Sequence, residues 1–125
     1  MNEDALLERR DGYAVFRASG KTTLDGAVAA VSLAIVTARE QGTRKLLVDV
    51  TGLIGFEPPT VGERYLFVTE WARAALGVVR VALIAERRMI DPHKYGVSVA
   101  HSVGFAADVF VTEQAALEWL LTERR

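Results

Sequence analysis

The fold is decided by the stretch Leu46-Leu47-Val48-Asp49-Val50, an apolar run that a single aspartate interrupts. A short apolar run of this kind lacks the alternation of a half-exposed strand and is typical of a β-strand that is covered on both faces, or nearly so. Strands of this type belong to parallel sheets whose faces carry helices. We therefore expect one amphipathic helix before this stretch in the sequence and another after it.

The helix that precedes the strand is predicted to run from Leu24 to about Gln41. Thr23 is a suitable N-cap for it, and Gly42 provides a stop. Apolar residues spaced four and three apart form one stripe of this helix. The stripe consists of Leu24, Val28, Val31, Ile35 and Ala38.

The helix that follows the strand is predicted to open at Pro58 and Pro59, because proline is tolerated in a first helical turn. It reaches about Leu76 and ends at Gly77. Its apolar stripe consists of Val61, Tyr65, Val68, Ala72 and Leu76.

The same alternation of strand and helix continues to the end of the chain. Asp91 is expected to cap the third helix, with Pro92 as its first residue, and Thr112 is expected to cap the last helix. The other predicted elements are a hairpin of 5–10 and 13–18 around Asp11-Gly12, a strand at 79–85, the third helix up to Val103 before Gly104, a strand at 109–111, and a last helix carrying Ala116, Leu117, Leu120 and Leu121.

The resulting order, ββαβαβαβα, predicts a single α/β domain over residues 1–125. Helices that alternate with strands imply right-handed crossovers and a mainly parallel sheet. The first strand belongs to a hairpin and is therefore expected to lie antiparallel at one edge.

Composition narrows the classes of function. The 125 residues include 15 lysines and arginines and 16 aspartates and glutamates, a net charge of −1, so no basic face for nucleic acid is expected. The absence of cysteine excludes disulfides, thiolate nucleophiles and cysteine-based metal sites. No apolar stretch is long enough to span a bilayer. With an acidic N-terminus and no signal-peptide pattern, the expected location is the cytoplasm.

Three segments resemble the STAS domain, the fold of bacterial anti-sigma-factor antagonists. Residues 47–53 resemble the family's apolar strand that ends in Asp-x-Ser/Thr, and residues 109–120 resemble its closing strand and its helix with an Ala-Leu-x-Trp-Leu pattern. Residues 55–62 stand where the family carries an apolar residue followed by Asp-Ser-Ser-Gly-Leu-Gly. The resemblance implies a divergent STAS-like branch that binds a protein partner. The same fold class includes CRAL-TRIO-type lipid-binding domains.

The chain departs from the family at the serine that a partner kinase phosphorylates in the antagonists. Pro58 and Pro59 stand at the two serine positions, and proline has no hydroxyl group to modify. Glu57 keeps a carboxylate where the family has aspartate. The nearest hydroxyl belongs to Thr60, a possible phosphorylation site at which a phosphate would interact favourably with the helix dipole. We therefore expect that the usual serine switch is absent.

Both long helices carry more apolar residues than one buried stripe requires. The first has Ala29, Leu33 and Val36 outside its main stripe, and the second has Phe67 and Trp71, with Arg64 one turn earlier. Three interpretations remain open: packing against neighbouring helices, an exposed patch for a partner chain, or a wall of an apolar pocket.

Motifs for catalysis are weak. Gly20-Lys21-Thr22-Thr23 follows a strand and precedes a helix, but the first glycine of a P-loop is replaced by Val15, so a turn with a helix cap is the better interpretation. His93 and His101 lie two helical turns apart, too far to hold one metal ion without other ligands. An enzyme built around Asp49, Glu57 and His93 has no supporting motif.

The sequence thus favours a non-enzymatic STAS-like binding protein without a cofactor or a metal. The residues expected to dock a protein partner or a second copy of the chain are Phe56, Glu57, Thr60, Glu63, Arg64, Phe67 and Trp71. The alternative is a carrier of a small apolar or lipid-like ligand, which the apolar excess of the helices would line.

Overall fold

A five-stranded sheet forms the centre of the structure, a computed structural model that describes residues 6–122. The strands lie side by side in chain order, and only the first pair is antiparallel. The predicted order of elements and the antiparallel edge strand are both confirmed. The elements are β1 (Glu8–Arg10), β2 (Tyr13–Lys21), α1 (Leu24–Glu40), β3 (Lys45–Ile54), α2 (Val61–Ala75), β4 (Arg80–Ile84), a 3₁₀ turn (Arg87–Met89), α3 (Tyr95–Ser102), β5 (Ala107–Phe110) and α4 (Glu113–Leu121).

The chain-order arrangement of the strands decides where the helices lie. Each of α1, α2 and α3 connects two neighbouring parallel strands, and each connection steps in the same direction across the sheet. Right-handed crossovers therefore place all three helices on one face. The fourth helix, α4, packs on the opposite face. We call these the three-helix face and the one-helix face.

Strand β3 lies in the middle of the sheet and contributes side chains to both faces. Leu46 and Val48 pack in the core of the three-helix face, and Leu47 packs in the core of the one-helix face. All three side chains are fully buried. The prediction that this strand is covered on both faces is confirmed.

The first helix also follows the prediction closely. Val31, Ile35 and Ala38 of its predicted stripe are buried against the sheet. The Thr23 hydroxyl accepts a hydrogen bond from the Gly26 N–H at 3.0 Å, as an N-cap should. The turn at residues 20–23 therefore ends in a capped helix.

Strands β2 and β3 are longer than predicted. Beyond Ala18 and Val50 they continue to pair in parallel up to Lys21 and Ile54, with a shift of register before Ser19. Gly52 permits this pairing, since a Cβ atom at this position would lie 2.8 Å from the Cβ of Ser19. The other strand boundaries differ by a few residues from the prediction, and Ala5 lies outside the described residues.

Two predicted helix starts are wrong. The helix α2 begins at Val61 with Thr60 as its N-cap, so Pro58 and Pro59 precede the helix. The helix α3 begins at Tyr95, since residues 92–94 form a turn first.

Asp91 still binds the start of α3. Its carboxylate accepts hydrogen bonds from the backbone N–H groups of His93, at 3.1 Å, and Tyr95, at 2.8 Å. Lys94 adopts a left-handed conformation with a φ of 50° between them. None of the helices between residues 6 and 122 is long and apolar enough to cross a membrane.

Candidate functional site

The loop at 55–60 leads from the carboxyl end of β3 into α2 and contains the first of the predicted site residues. Gly55 has a φ of 110°, and a Cβ atom there would lie 2.4 Å from the carbonyl oxygen of Thr22. The chain therefore passes close to the connection between β2 and α1, where the Thr22 N–H donates to the Ile54 carbonyl at 2.8 Å. Phe56 is half-buried in this loop, and Glu57 is exposed.

A reciprocal capping box fixes the start of α2. The Thr60 hydroxyl accepts from the Glu63 N–H at 3.1 Å, and the Glu63 carboxylate accepts from the Thr60 N–H at 2.8 Å. Both side chains are exposed but engaged with the backbone. Two of the predicted docking residues thus also hold the helix start in place.

The orientation of α2 differs from the prediction. Val61, Tyr65 and Leu76, which belong to the stripe predicted for the core, are 54%, 50% and 64% exposed. The residues Trp71 and Ala75 are buried instead, and only Val68 of the predicted stripe is buried with them. The helix is rotated because it packs beside α1 and α3 as well as over the sheet.

Phe67 and Trp71 lie on the inner side of this rotated helix. The Trp71 side chain is 8% exposed, and its indole N–H donates to the carbonyl of Val28 on α1 at 3.1 Å. The two aromatic rings are 4.7 Å apart between centroids. Trp71 is therefore unavailable as a surface anchor, and of the three interpretations of this stripe, helix packing and the wall of a pocket are those that the structure supports.

The pocket is a partly open cavity of about 140 Å³ between the sheet and the helices of the three-helix face. Phe67 and Trp71 form part of one wall, and Leu83 and Val109 belong to the sheet beneath. The remaining lining residues are Leu24, Ala27, Val28, Val31, Val50, Leu53, Phe56, Pro59, Arg64, Val68, Val81, Ala85, Glu86, Met89, Ile90, Asp91, Lys94, Gly96, Val97, Ala100, Phe105, Ala107 and Asp108.

The cavity reaches the carboxyl ends of the parallel strands, and Val81, Ala107 and Asp108 at the amino ends of β4 and β5 also line it. Its lining includes the last residues of β3 and the segment that follows β4, together with the N-terminal halves of α1, α2 and α3. In open α/β sheets, ligands bind at this end of the strands. The place of the cavity is therefore that of a binding site in many proteins of this class.

Five charged residues lie among the lining side chains, and four of them have partners. Lys94 and Asp108 form an ion pair at 2.9 Å, and Glu86 pairs with Arg88 outside the cavity at 3.3 Å. Asp91 accepts the backbone hydrogen bonds at the start of α3.

The backbone hydrogen bonds that Asp91 accepts from Tyr95 and His93 lower the pKa of its carboxyl below the usual value, and the bond from Tyr95 contributes most. Burial opposes this shift. The fifth residue, Arg64, is half-buried, and its guanidinium makes no hydrogen bond or ion pair with the described residues, although its charge also favours the Asp91 carboxylate.

A second cluster of charges lies on the one-helix face. Arg17 donates to Asp49 at 3.0 Å and to both carboxylate oxygens of Glu113 at 3.1 and 3.4 Å. The other Asp49 oxygen accepts from the backbone and hydroxyl of Thr51. Burial alone would raise the pKa of the Asp49 carboxyl, but these hydrogen bonds outweigh burial and lower it. Asp49 therefore has a structural role here.

The other candidates for chemistry do not converge. His93 and His101 are both exposed. Asp49 is held on the one-helix face, whereas Glu57 lies in the loop before α2. Within residues 6–122, no three histidine, aspartate or glutamate side chains are grouped so that they could hold a metal ion.

Two sets of residues at the site were not predicted from the sequence. Leu66, which is 67% exposed, joins Val61 and Tyr65 on the outer side of α2. The cavity residues of the sheet and α3, such as Leu83 and Val97, also went unnoticed. The order of strands contained a usable signal, since consecutive right-handed crossovers predict three helices side by side on one face.

Comparison with known proteins gives a fold. No family model and no curated protein matches the sequence. Among solved structures, an anti-sigma factor antagonist from Mycobacterium paratuberculosis has a TM-score of 0.61 and 17% sequence identity, covering 92% of this chain and 91% of that one. The unphosphorylated anti-sigma factor antagonist SpoIIAA has a TM-score of 0.45 and 21% identity, covering 90% of this chain and 92% of its own. The first of these similarities shows that the chain has the fold of an anti-sigma factor antagonist, as the STAS-like prediction stated.

Proposed function

We propose that this protein is a non-enzymatic regulatory domain that docks a protein partner on the start of α2. The observation that carries the proposal is a cluster of large apolar side chains on the outer side of this helix. Val61, Tyr65 and Leu66 are each at least half exposed. We call these three residues, together with Glu57 and Thr60, the α2 entry surface.

The α2 entry surface is suited to binding because its backbone is already ordered. The capping box of Thr60 and Glu63 holds the first turn, and the close approach of Gly55 to Thr22 holds the preceding loop. A preordered surface loses little conformational entropy when a partner binds. Exposed apolar side chains that are grouped together are a common feature of protein interfaces. Phe56 and Arg64, which were also predicted to dock the partner, line the cavity instead and are not part of this surface.

A different protein is a better partner for this surface than a second copy of the chain. A twofold dimer brings the same patch of both copies together. The exposed carboxylates of Glu57 and Glu63 border the apolar residues, so such a dimer would place like charges close to one another. The expected partner therefore presents an apolar surface with basic residues at its rim.

In this proposal, the serine switch of the antagonists plays no part. Pro58 and Pro59 carry no hydroxyl group, and the hydroxyl of Thr60 is engaged as the cap of α2. A phosphate on Thr60 would also lie beside the carboxylate of Glu63, which accepts the Thr60 N–H. Mass spectrometry of the native protein is expected to find Thr60 unmodified, and a phosphorylated fraction that changes with growth conditions would contradict this part.

Site-specific crosslinking tests the docking surface. A photoreactive amino acid at position 66 is expected to capture one defined protein in the source cell. The same group at Leu33, a 56% exposed leucine on α1, is expected not to capture that protein. Identical capture at the two positions, or capture of this chain alone, would contradict the proposal.

Binding of the captured protein, once purified, provides the quantitative test. Leu66→Ser is expected to weaken binding at least about tenfold, since a fully buried interface leucine contributes about 1.5–3 kcal/mol. Leu33→Ser serves as the matched control and should leave the affinity unchanged. Circular dichroism of both variants verifies that the fold is intact.

A further inference from the structure

The cavity of the three-helix face is poorly suited to water. All but five of its lining residues are apolar or glycine, the exceptions being Arg64, Glu86, Asp91, Lys94 and Asp108. A water molecule needs two to four polar partners to be stable inside a protein. The apolar part of this cavity offers few such partners, so a molecule with an apolar body would gain by replacing the solvent there.

The size of the cavity limits that body to a small group. A cavity of roughly 150 Å³ lined by aliphatic and aromatic side chains holds one benzene molecule. The volume of about 140 Å³ in this protein is of the same size. It therefore fits a single six-membered ring or a short branched chain, and it is too small for the whole tail of a membrane lipid.

The charges around the cavity favour a particular polar end. Lys94 and Asp108 neutralise one another, and the carboxylates of Glu86 and Asp91 bind Arg88 and the start of α3. Of these five residues, only Arg64 makes no hydrogen bond or ion pair with its side chain within residues 6–122. A guanidinium binds a carboxylate through two parallel hydrogen bonds.

From these observations we propose that the cavity binds a small carboxylic acid with one ring or a short branched chain. Its apolar body lies between Phe67, Leu83 and Val97, and its carboxylate binds Arg64. The inference stands apart from the proposed protein partner, because the cavity lies on the inner side of α2 and the α2 entry surface lies on the outer side.

The position of Arg64 supports this orientation of the ligand. Arg64 is in the first turns of α2, and the N-terminal parts of α1 and α3 also line the cavity. The carboxylates of Glu63 and Asp91 already accept backbone N–H groups at the starts of α2 and α3, so the Arg64 guanidinium is the group left to bind an anion at this end. A ligand whose carboxylate lies near these termini has its apolar part beneath Trp71 and above the sheet.

A series of three probes with the same ring tests both parts of the proposal. Phenylacetate, 2-phenylethanol and 2-phenylethylamine share a phenyl ring and differ in the charge at the end. Each probe is added to the wild-type protein while two-dimensional NMR records the amide signals, and those of the cavity residues are expected to shift. Phenylacetate should bind at least about tenfold more tightly than the alcohol, and the amine most weakly.

Two variants locate the binding. Arg64→Gln is expected to bring phenylacetate within about threefold of the alcohol, whereas Arg73→Gln, an exposed arginine of the same helix, should leave the preference intact. Val97→Phe is expected to fill the cavity and to abolish binding of all three probes. Leu66→Ser should not affect any of them.

The titration of the wild-type protein tests the binding site and the role of Arg64 even if Val97→Phe does not fold. Shifts at the cavity amides with a preference for the acid support the proposal. Equal affinities for the three probes would overturn the role of Arg64, and shifts confined to residues outside the cavity would overturn the site itself. An unchanged preference in Arg64→Gln would also overturn that role.

Discussion

The two faces of this sheet are covered in different ways. On one face, α1, α2 and α3 lie side by side and leave an apolar cavity between themselves and the strands. On the other face, the nine residues of α4 pack alone over the middle of the sheet. The same strands therefore have a cavity beneath the helices on one face and a single short helix on the other.

The one-helix face compensates for its short helix with two arginines. Arg17 on β2 reaches Glu113 at the start of α4. Arg80 on β4 donates to the carbonyl of Trp119 near the helix end at 2.9 Å, and its guanidinium lies 3.8 Å from the centre of the Trp119 ring. The stems of such long side chains cover apolar surface, and both guanidinium groups tie the sheet to α4.

The contrast between the two faces indicates where function can reside in this fold. The one-helix face depends on each of its few contacts, so a change there should affect the stability of the whole domain. The three-helix face has more buried residues and keeps a cavity, so some changes there should affect binding with little effect on stability.

The largest effect is expected from Leu120→Ala in α4. Leu120 is fully buried against the sheet, and its truncation should lower the free energy of unfolding by about 3 kcal/mol. The neighbouring Leu121, which is 43% exposed, provides the control, and Leu121→Ala should cost less than about 1 kcal/mol. Urea unfolding followed by circular dichroism measures both. Similar losses for the two variants would mean that α4 is not the main cover of this face.

Strand β3 and helix α1 could be predicted from the sequence because their signals are local. The run Leu46–Val50 has no polar residue except Asp49, and this is enough to indicate burial on both faces. The stripe of α1 has a regular helical spacing and a capping threonine. Neither feature depends on which neighbour the element contacts.

The orientation of α2 could not be predicted in the same way. The helix carries two apolar stripes, one with Val61 and Tyr65 and the other with Phe67 and Trp71. Periodicity shows that both exist, but the contacts with α1 and α3 decide which of them is buried. The start of α2, in contrast, could have been predicted from the sequence. Thr60 and Glu63 have the spacing of a capping box, and this box marks the start of the helix in place of the two prolines.

The candidate site was predicted in part. The loop residues and the start of α2 were identified through a resemblance to a family, which points to positions along the chain. The cavity depends on gaps of a few ångströms between helices, and these gaps arise from the packing of residues that are distant in sequence. Leu83 and Val97 illustrate this, since neither has a local signal that distinguishes it from an ordinary core residue.

A smaller effect is expected from adding volume to matched alanines on the two faces. Ala116 of α4 and Ala100 of α3 are both almost completely buried, but only Ala100 lines the cavity. Ala116→Val should destabilise the protein by about 1–3 kcal/mol, because a closely packed core cannot accept two more methyl groups. Ala100→Val should cost less than about 1 kcal/mol, most of it the lower helix propensity of valine.

Thermal and urea unfolding of these two variants measure the difference directly. Both substitutions carry the same penalty in helix propensity, so the comparison isolates the effect of available space. An Ala100→Val variant as unstable as Ala116→Val would show that the cavity cannot accept additional atoms. That result would also weaken the case for a bound ligand.

The smallest effect is expected from Arg17→Met, and it should depend on pH. Arg17 is partly exposed, so its hydrogen bonds to Asp49 and Glu113 should contribute about 1 kcal/mol near neutral pH. Arg10→Met removes an exposed pair with Glu8 and serves as the control, with an expected loss below about 0.5 kcal/mol.

The direction of the pH dependence follows from Asp49. Its pKa in the folded protein lies below the ordinary value of 3.8, so its ionised form stabilises the fold above that pH, and this contribution is lost as the pH falls through the folded pKa. The wild-type protein should therefore exceed Arg17→Met in stability at pH 7, and the difference should shrink below about pH 4 as Asp49 becomes protonated. In the variant, burial opposes ionisation with less compensation, so the NMR-detected pKa of Asp49 should rise. A difference that stays constant between pH 7 and pH 3 would show that the Arg17 stem stabilises this face by packing, without a contribution from its charge.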